Sequence, residues 1–322
     1  MMILSKVSSA LRVVLAFMAA LYVQSNAVFP RSDSSDDVTL MQAALLYTPN
    51  TKIAAVVGII FSITGLLLLY RLIKNRDWWA LCLPIGAFCY ALGFFVRIAM
   101  VNKHQNSRGW LIGQQVLIAC SPAAFLAFNY MVYGRIVTQC IGARHSVIRP
   151  NRVAVIFVSS DVITLLVQAG GASLMVSADH AKLGQHVFLI GLILQAISYL
   201  VFFSLFVRAI ISVKSEKVAT GKEIWWKGVW VLFASSLPII VRCIYRCIQV
   251  GLGRTNKLST DEVWFYCLDA LPLFLCIVIY VAVWPGLYIT GRTDSIAILN
   301  TYGMQTYGPG EVYTPLQQPV YA

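Results

Sequence analysis

Charge is scarce in this chain: 12% of its 322 residues are Asp, Glu, Lys or Arg, and 13 acids face 25 bases. With 59% hydrophobic residues and a mean hydropathy of +0.74, that shortage excludes a soluble globular domain of ordinary composition. Histidine is nearly missing. The four present, His104, His145, His180 and His186, fall in loops with no metal-ligand spacing inside an apolar run, so a seven-span metal-dependent lipid hydrolase is disfavoured. No Walker A pattern occurs, and ATP therefore does not drive the chain directly. Of eight cysteines, Cys140 is placed in a loop and Cys82, Cys89, Cys120, Cys243, Cys247, Cys267 and Cys276 lie in apolar runs. That pattern is neither a disulfide framework nor a zinc motif, and buried free thiols are expected. No metal, cofactor or enzymatic chemistry is implied.

What the chain has instead is long apolar runs. Seven are of spanning length, near Ile53–Ile73, Trp78–Val101, Trp110–Val137, Val153–Val176, Val187–Val213, Trp226–Val250 and Val263–Ile289. An all-α membrane protein, a seven-transmembrane helix bundle, is the expected fold. The net charge of +12 is concentrated in short loops, where it sets orientation and does not indicate a nucleic-acid partner. Arg71, Lys74 and Arg76 fill the first loop, Arg135, Arg144, Arg149 and Arg152 the third, and Arg208, Lys214, Lys217, Lys222 and Lys227 the fifth. By the positive-inside rule these odd loops are cytoplasmic, which puts the N-terminus outside and the C-terminus in the cytoplasm. Trp78, Trp79, Trp110, Trp225, Trp226, Trp264 and Trp284 sit at run ends as expected interfacial anchors. Pro84, Pro122, Pro238 and Pro272 interrupt four runs and predict kinks.

Around this membrane domain (51–289), residues 1–27 read as a signal peptide: Lys6 and Arg12 precede the apolar stretch Val13–Val23 and the small residues Ser25-Asn26-Ala27. A short extra span is the alternative. Residues 28–50 then form an extracellular segment. Residues 290–322, rich in Gly, Pro, Tyr and Gln, predict a disordered cytoplasmic tail. Within it Tyr313 and Leu316 fit a Tyr-x-x-apolar sorting signal, a short and weak match that a plain solvated tail explains better.

The informative residues are charges inside the runs, where an Arg or Asp at mid-helix costs about 2.5 to 3.5 kcal/mol on insertion scales. Arg242 and Arg246 share one helical face, and Asp269 lies in the facing run at a similar depth, with Arg97 near the same level. Asp269 is expected to pair with Arg246 or Arg242, leaving surplus positive charge for an anionic head group. In the other reading Arg97 and Arg246 snorkel to the interface. A second polar stripe, Asp161, Thr164 and Gln168 with Gly171, runs along the fourth helix. Asp161 could carry a proton or simply tie two helices together.

These residues resemble the fungal lipid-translocating exporters, seven-span proteins linked to aminocholesterol resistance and sphingoid long-chain-base resistance. The landmarks run from about Tyr47 to Gly286. They are Tyr47-Thr-Pro-Asn50; Gly86, Gly93 and Arg97; Ser121-Pro122; Asn129-Tyr130-Met131 with Gly134-Arg135; Ser160-Asp161, Gln168 and Gly170-Gly171; Gly191 and Gln195; Arg242-Cys-Ile-Tyr245-Arg246; Gly253; Glu262 and Tyr266; Asp269 and Pro272; and Pro285-Gly286. Three positions depart from the family's pattern: Tyr90 and Gln249 stand where it usually has Glu, and Trp284 where it usually has His. The resemblance implies a fungal plasma-membrane protein that moves or exports a lipid or amphiphile, such as a sphingoid base or sterol-like toxicant, and confers resistance to it. Arg97, Arg242, Arg246, Asp269, Asp161 and Gln168 are the expected substrate path, and a membrane lipid or amphiphilic small molecule the expected partner. The alternative is a seven-helix receptor or sensor of lipid or stress. The sequence names no protein partner.

Overall fold

A computed structural model of the chain describes residues 50–103, 108–141, 146, 148–174, 180–215, 225–253, 258 and 261–289, together with two short strands at 304–305 and 314–315. The expectations for residues 1–27 and for Tyr313 and Leu316 lie outside the described residues. In the tail, Met304–Gln305 pairs antiparallel with Thr314–Pro315.

Seven helices long and apolar enough to cross a membrane are found among the described residues. They are α1 (Thr51–Asn75), α2 (Cys82–Lys103), α3 (Arg108–Ile136, prolonged by a π-turn over Val137–Ile141), α4 (Pro150–Leu174), α5 (Ala181–Ser215) and α6 (Trp226–Gly251), followed by α7. The last, α7, consists of Glu262–Phe265, a π-turn over Tyr266–Ala270, and Leu271–Ala282. Each apolar run becomes a helix because hydrocarbon offers no partner to backbone N–H and C=O groups, which a helix satisfies within itself. Asn50 starts α1 by accepting the Lys52 amide on its side chain at 3.0 Å. Arg76, in the left-handed region at φ 56°, ends it and turns the chain toward α2.

Successive helices pack side by side, α7 closes back on α1, and α3 runs through the middle against α2, α4, α5, α6 and α7. That topology gives α3 more helix neighbours than an outer helix such as α1 has. Lipid tails are as apolar as Leu, so helices associate through close packing and hydrogen bonds. The α4–α5 contact shows this: a Cβ on Gly171 would collide with the Phe188 backbone amide and lie 2.9 Å from the Gly184 carbonyl. Beside it Gln168 donates to Gln195 at 2.9 Å, and Gly191 leaves room for the Gln168 stem.

Several expectations need correcting. Cys140 is not in a loop but buried in the π-turn that prolongs α3, and His186 lies within α5, its Nδ1 2.6 Å from the Lys182 carbonyl. Pro84 does not kink a span. The second run opens with a short 3-10 turn, Trp78–Ala80, and α2 starts at Cys82, so Pro84 falls in a first turn, where no helical N–H bond is lost. Pro122 and Pro238 do lie inside helices. Pro272 follows the widened π-turn of α7. Of the tryptophans, Trp78, Trp110 and Trp264 are exposed at helix ends, but Trp79, Trp225, Trp226 and Trp284 are buried. Their rings find protein partners instead: Trp79 stacks on Phe128 with centroids 5.5 Å apart, and Trp225 meets Trp226 edge to face.

Candidate functional site

Asp269 is the hub. The π-turn of α7 inserts an extra residue into the helical repeat and turns the carboxylate inward, where it is fully buried against α6 and α2. Arg246 grips it with two parallel bonds, Nε to Oδ1 at 2.7 Å and Nη2 to Oδ2 at 2.9 Å. Arg242, one turn along the same face of α6, brings its Nε to 2.9 Å from Oδ1 as an ion pair, although that N–H is not aimed at the oxygen. The sequence predicted one arginine or the other; the carboxylate holds both. Tyr90 from α2, where an acid was expected, completes the set by donating its hydroxyl to Oδ2 at 3.3 Å.

A second acid supports the same end of the bundle, and the sequence reading left it out of the site. Glu262, the first residue of α7, lies 3.5 Å from Arg97, accepts the Tyr266 hydroxyl at 2.9 Å and accepts the Asn50 amide at 2.9 Å. Arg97 is 2% exposed, which overturns the snorkelling alternative for that residue. The Phe265 ring lies between the two pairs, with Arg97 at 5.3 Å and Arg246 at 5.5 Å from its centroid. Three guanidinium groups thus meet two carboxylates at the α6–α7 loop end, a formal excess of one positive charge. The signal for Glu262 and Tyr266 was present among the family landmarks, but a charge at a helix start reads as solvated.

The other expected path residues lie apart from this cluster. Asp161 on α4 is buried, accepts the Tyr130 hydroxyl from α3 on Oδ2 at 2.9 Å, and leaves Oδ1 without a hydrogen-bond partner. Gln168 belongs to the α4–α5 seam through Gln195. A neutral network joins four helices. Asn129 donates to the Tyr199 hydroxyl at 3.0 Å and accepts from Tyr280 at 2.7 Å, and Ser235 lies 2.7 Å from the Tyr280 hydroxyl. Asn129 and Tyr130 of α3 anchor the network and the Asp161 contact.

At the opposite end, the α1–α2 loop is tied to the end of α7. Asp77 accepts the Trp79 indole N–H at 3.1 Å and that of Trp284 at 2.6 Å, and Arg135 of α3 stacks 4.3 Å from the Trp79 ring centroid. Gly286 is required there because a Cβ would overlap the Asp77 carboxylate. Trp284→Phe keeps an aromatic ring but removes the indole N–H from a half-buried, charged acceptor, so it is expected to lower stability by about 1.5 to 3 kcal/mol. Thermal unfolding in detergent checks this, with the exposed Trp264→Phe as the unaffected control.

The family model described as RTA1 like protein matches residues 83–292, well over half of the chain, from the start of α2 past the end of α7. The chain belongs to the RTA1-like protein family. Among relatives of this RTA1-like protein, it is 30% identical to Protein RTA1 of Saccharomyces cerevisiae over 208 residues, which covers 62% of this chain and 63% of that protein. It is 28% identical over 205 residues to Protoporphyrin uptake protein 1 of the same yeast, covering 61% and 65%. It is also 24% identical over 289 residues to Sphingoid long-chain base transporter RSB1 of S. cerevisiae strain YJM789, covering 78% and 75%. The chain thus spans less than two thirds of the length of the first two. No solved structure matches it. Among the landmarks that carried the resemblance, Arg97, Tyr130, Asp161, Gln168, Arg242, Arg246, Glu262 and Asp269 all take part in the buried contacts described above.

Proposed function

We propose that this RTA1-like protein moves or exports a lipid or amphiphile, such as a sphingoid base or a sterol-like toxicant, across a fungal membrane and so confers resistance to it. The observation that carries this reading is the cluster of Arg97, Arg242, Arg246, Asp269 and Glu262 kept inside three spanning helices. Packed aliphatic residues would hold the same helices together without the desolvation cost of burying ions. Charges retained at such cost mark ligand or ion paths in membrane proteins, and the guanidinium donors of a cluster with one excess positive charge suit the hydroxyl or anionic oxygens of a head group and not its ammonium. The names of two relatives, a sphingoid long-chain base transporter and a protoporphyrin uptake protein, support amphiphile movement as the activity. In this reading the plasma membrane is the location, the N-terminus faces outward, and the arginine cluster lies on the outer side. The protein acts by moving its ligand and not by reacting with it.

The test is purified protein in vesicles with a fluorescent sphingoid base on one leaflet. Protein-dependent loss of label from that leaflet is the expected result, slowed in Arg242→Ala. An unchanged leaflet distribution across head-group classes would sink translocation and leave a seven-helix sensor as the reading to pursue.

A further inference from the structure

We propose that Asp161 is a proton-binding site whose uptake and release of a proton couples a proton gradient to the movement proposed above; the coupling, though not the site, rests on that reading. Two buried carboxylates face the bundle interior, and their surroundings differ in kind. Asp269 is held by two guanidinium groups and keeps its charge neutralised in place. Asp161 is 1% exposed and has no ion pair among the described residues. The groups able to ionise that face it are Tyr130 from α3 and Cys243 from α6, with Tyr199 of α5 beyond Tyr130, none of them a cation. Its partner Tyr130 is itself held among aromatic rings, against Phe157 of α4 at 5.3 Å and Phe202 of α5 at 4.6 Å.

Its depth is central. Asp161 lies nine residues from one end of the Arg152–Ala172 span and eleven from the other, about 14 and 17 Å at the helical rise. An ionised carboxylate there, without a counter-charge, carries a desolvation penalty of several kcal/mol. A proton removes that penalty, and it is the one ligand that needs no cavity. The atom available for it is Oδ1, which is buried and without a partner, whereas Oδ2 already accepts from Tyr130. The Tyr130 bond joins α3 to α4 and is a charge-assisted bond only while Asp161 is ionised; such bonds are about twice as strong as neutral ones. Protonation therefore loosens the α3–α4 contact, and deprotonation tightens it. Movement of the proton from water at one face to Oδ1, then to water at the other, would thus alternate the grip of α4 on the central helix.

Infrared spectroscopy of the membrane-embedded protein tests the site without any substrate. The native chain is expected to show a carboxylic C=O band that bleaches as the pH is raised. It should be lost in Asp161→Asn, retained in Asp161→Glu, and shifted in frequency in Tyr130→Phe, which keeps the acid should Asp161→Asn fail to fold. No band difference between the native chain and Asp161→Asn, or no shift in Tyr130→Phe, would overturn the site. In vesicles, amphiphile movement by the native chain is expected to follow an imposed proton gradient, and in Asp161→Asn that dependence is expected to be lost. Native movement indifferent to the gradient would overturn the coupling. No amphiphile movement by the native chain would overturn the translocation reading together with the coupling, while the infrared band would still decide the proton site.

Discussion

Asp269→Asn is expected to destabilise the protein by about 3 to 5 kcal/mol, because it strands two guanidinium groups in the bundle interior with no counter-charge. Arg246 would keep at most one member of its bidentate grip, since Asn offers a single acceptor oxygen, Arg242 would lose its ion pair, and Tyr90 would face an amide in place of a carboxylate. Thermal unfolding in detergent or lipid nanodiscs measures the loss. Replacing the whole set tells structure from function. In the triple variant Arg242→Met, Arg246→Met, Asp269→Leu, no charge is left unpaired, and buried ion networks exchanged for apolar side chains of similar volume are often neutral or stabilising, by about 1 to 4 kcal/mol. The triple variant is therefore expected to be at least as stable as the native chain. An Asp269→Asn protein as stable as native would mean that the arginines reach water and that the cluster is not sealed.

Gly171→Val carries the second large effect. At Gly171 the α5 backbone itself occupies the space a side chain would need, and the colliding atoms are the amide and Cα of Phe188, not the movable end of a side chain. The helices must separate, and in doing so they break the Gln168–Gln195 bond one turn away. Overpacking of this kind costs about 1 to 3 kcal/mol, and the lost interhelical hydrogen bond adds about 0.6. Gly171→Ala should lie between native and Gly171→Val in unfolding temperature. The order native, Ala, Val is the readout, and a Val variant as stable as native would contradict the close α4–α5 approach.

How much of this could be read from the chain follows from the range over which each contact acts. The seven spans were legible because hydropathy is local and hydrocarbon leaves the backbone no choice but helix. The same holds for the stripe Asp161, Thr164, Gln168 and Gly171, whose helical spacing does place all four on one buried face. Partner identity was legible only where two charges of opposite sign sat at similar depth, as with Arg246 and Asp269. It failed for Tyr90, read as the loss of an acid when it is a donor to Asp269 across 179 positions. Trp284, whose acceptor Asp77 is 207 positions away, was likewise read as an interfacial anchor. The π-turn at Tyr266–Ala270 was not visible in a 3.6-residue pattern, yet it is what carries Asp269 inward. Glu262 was misjudged for a related reason: its partners Arg97 and Asn50 come from α2 and the start of α1, and nothing near Glu262 in the sequence announces them.

If the buried charges are kept for handling a head group and not for holding helices together, function and stability must separate when they are removed together. Leaflet exchange of a fluorescent sphingoid base should be measured for the native chain and for Arg242→Met, Arg246→Met, Asp269→Leu in matched vesicles. A folded triple variant that no longer moves the label is the expected result; a folded triple variant that moves it at the native rate would show that the arginine cluster is scaffolding and that the path lies elsewhere.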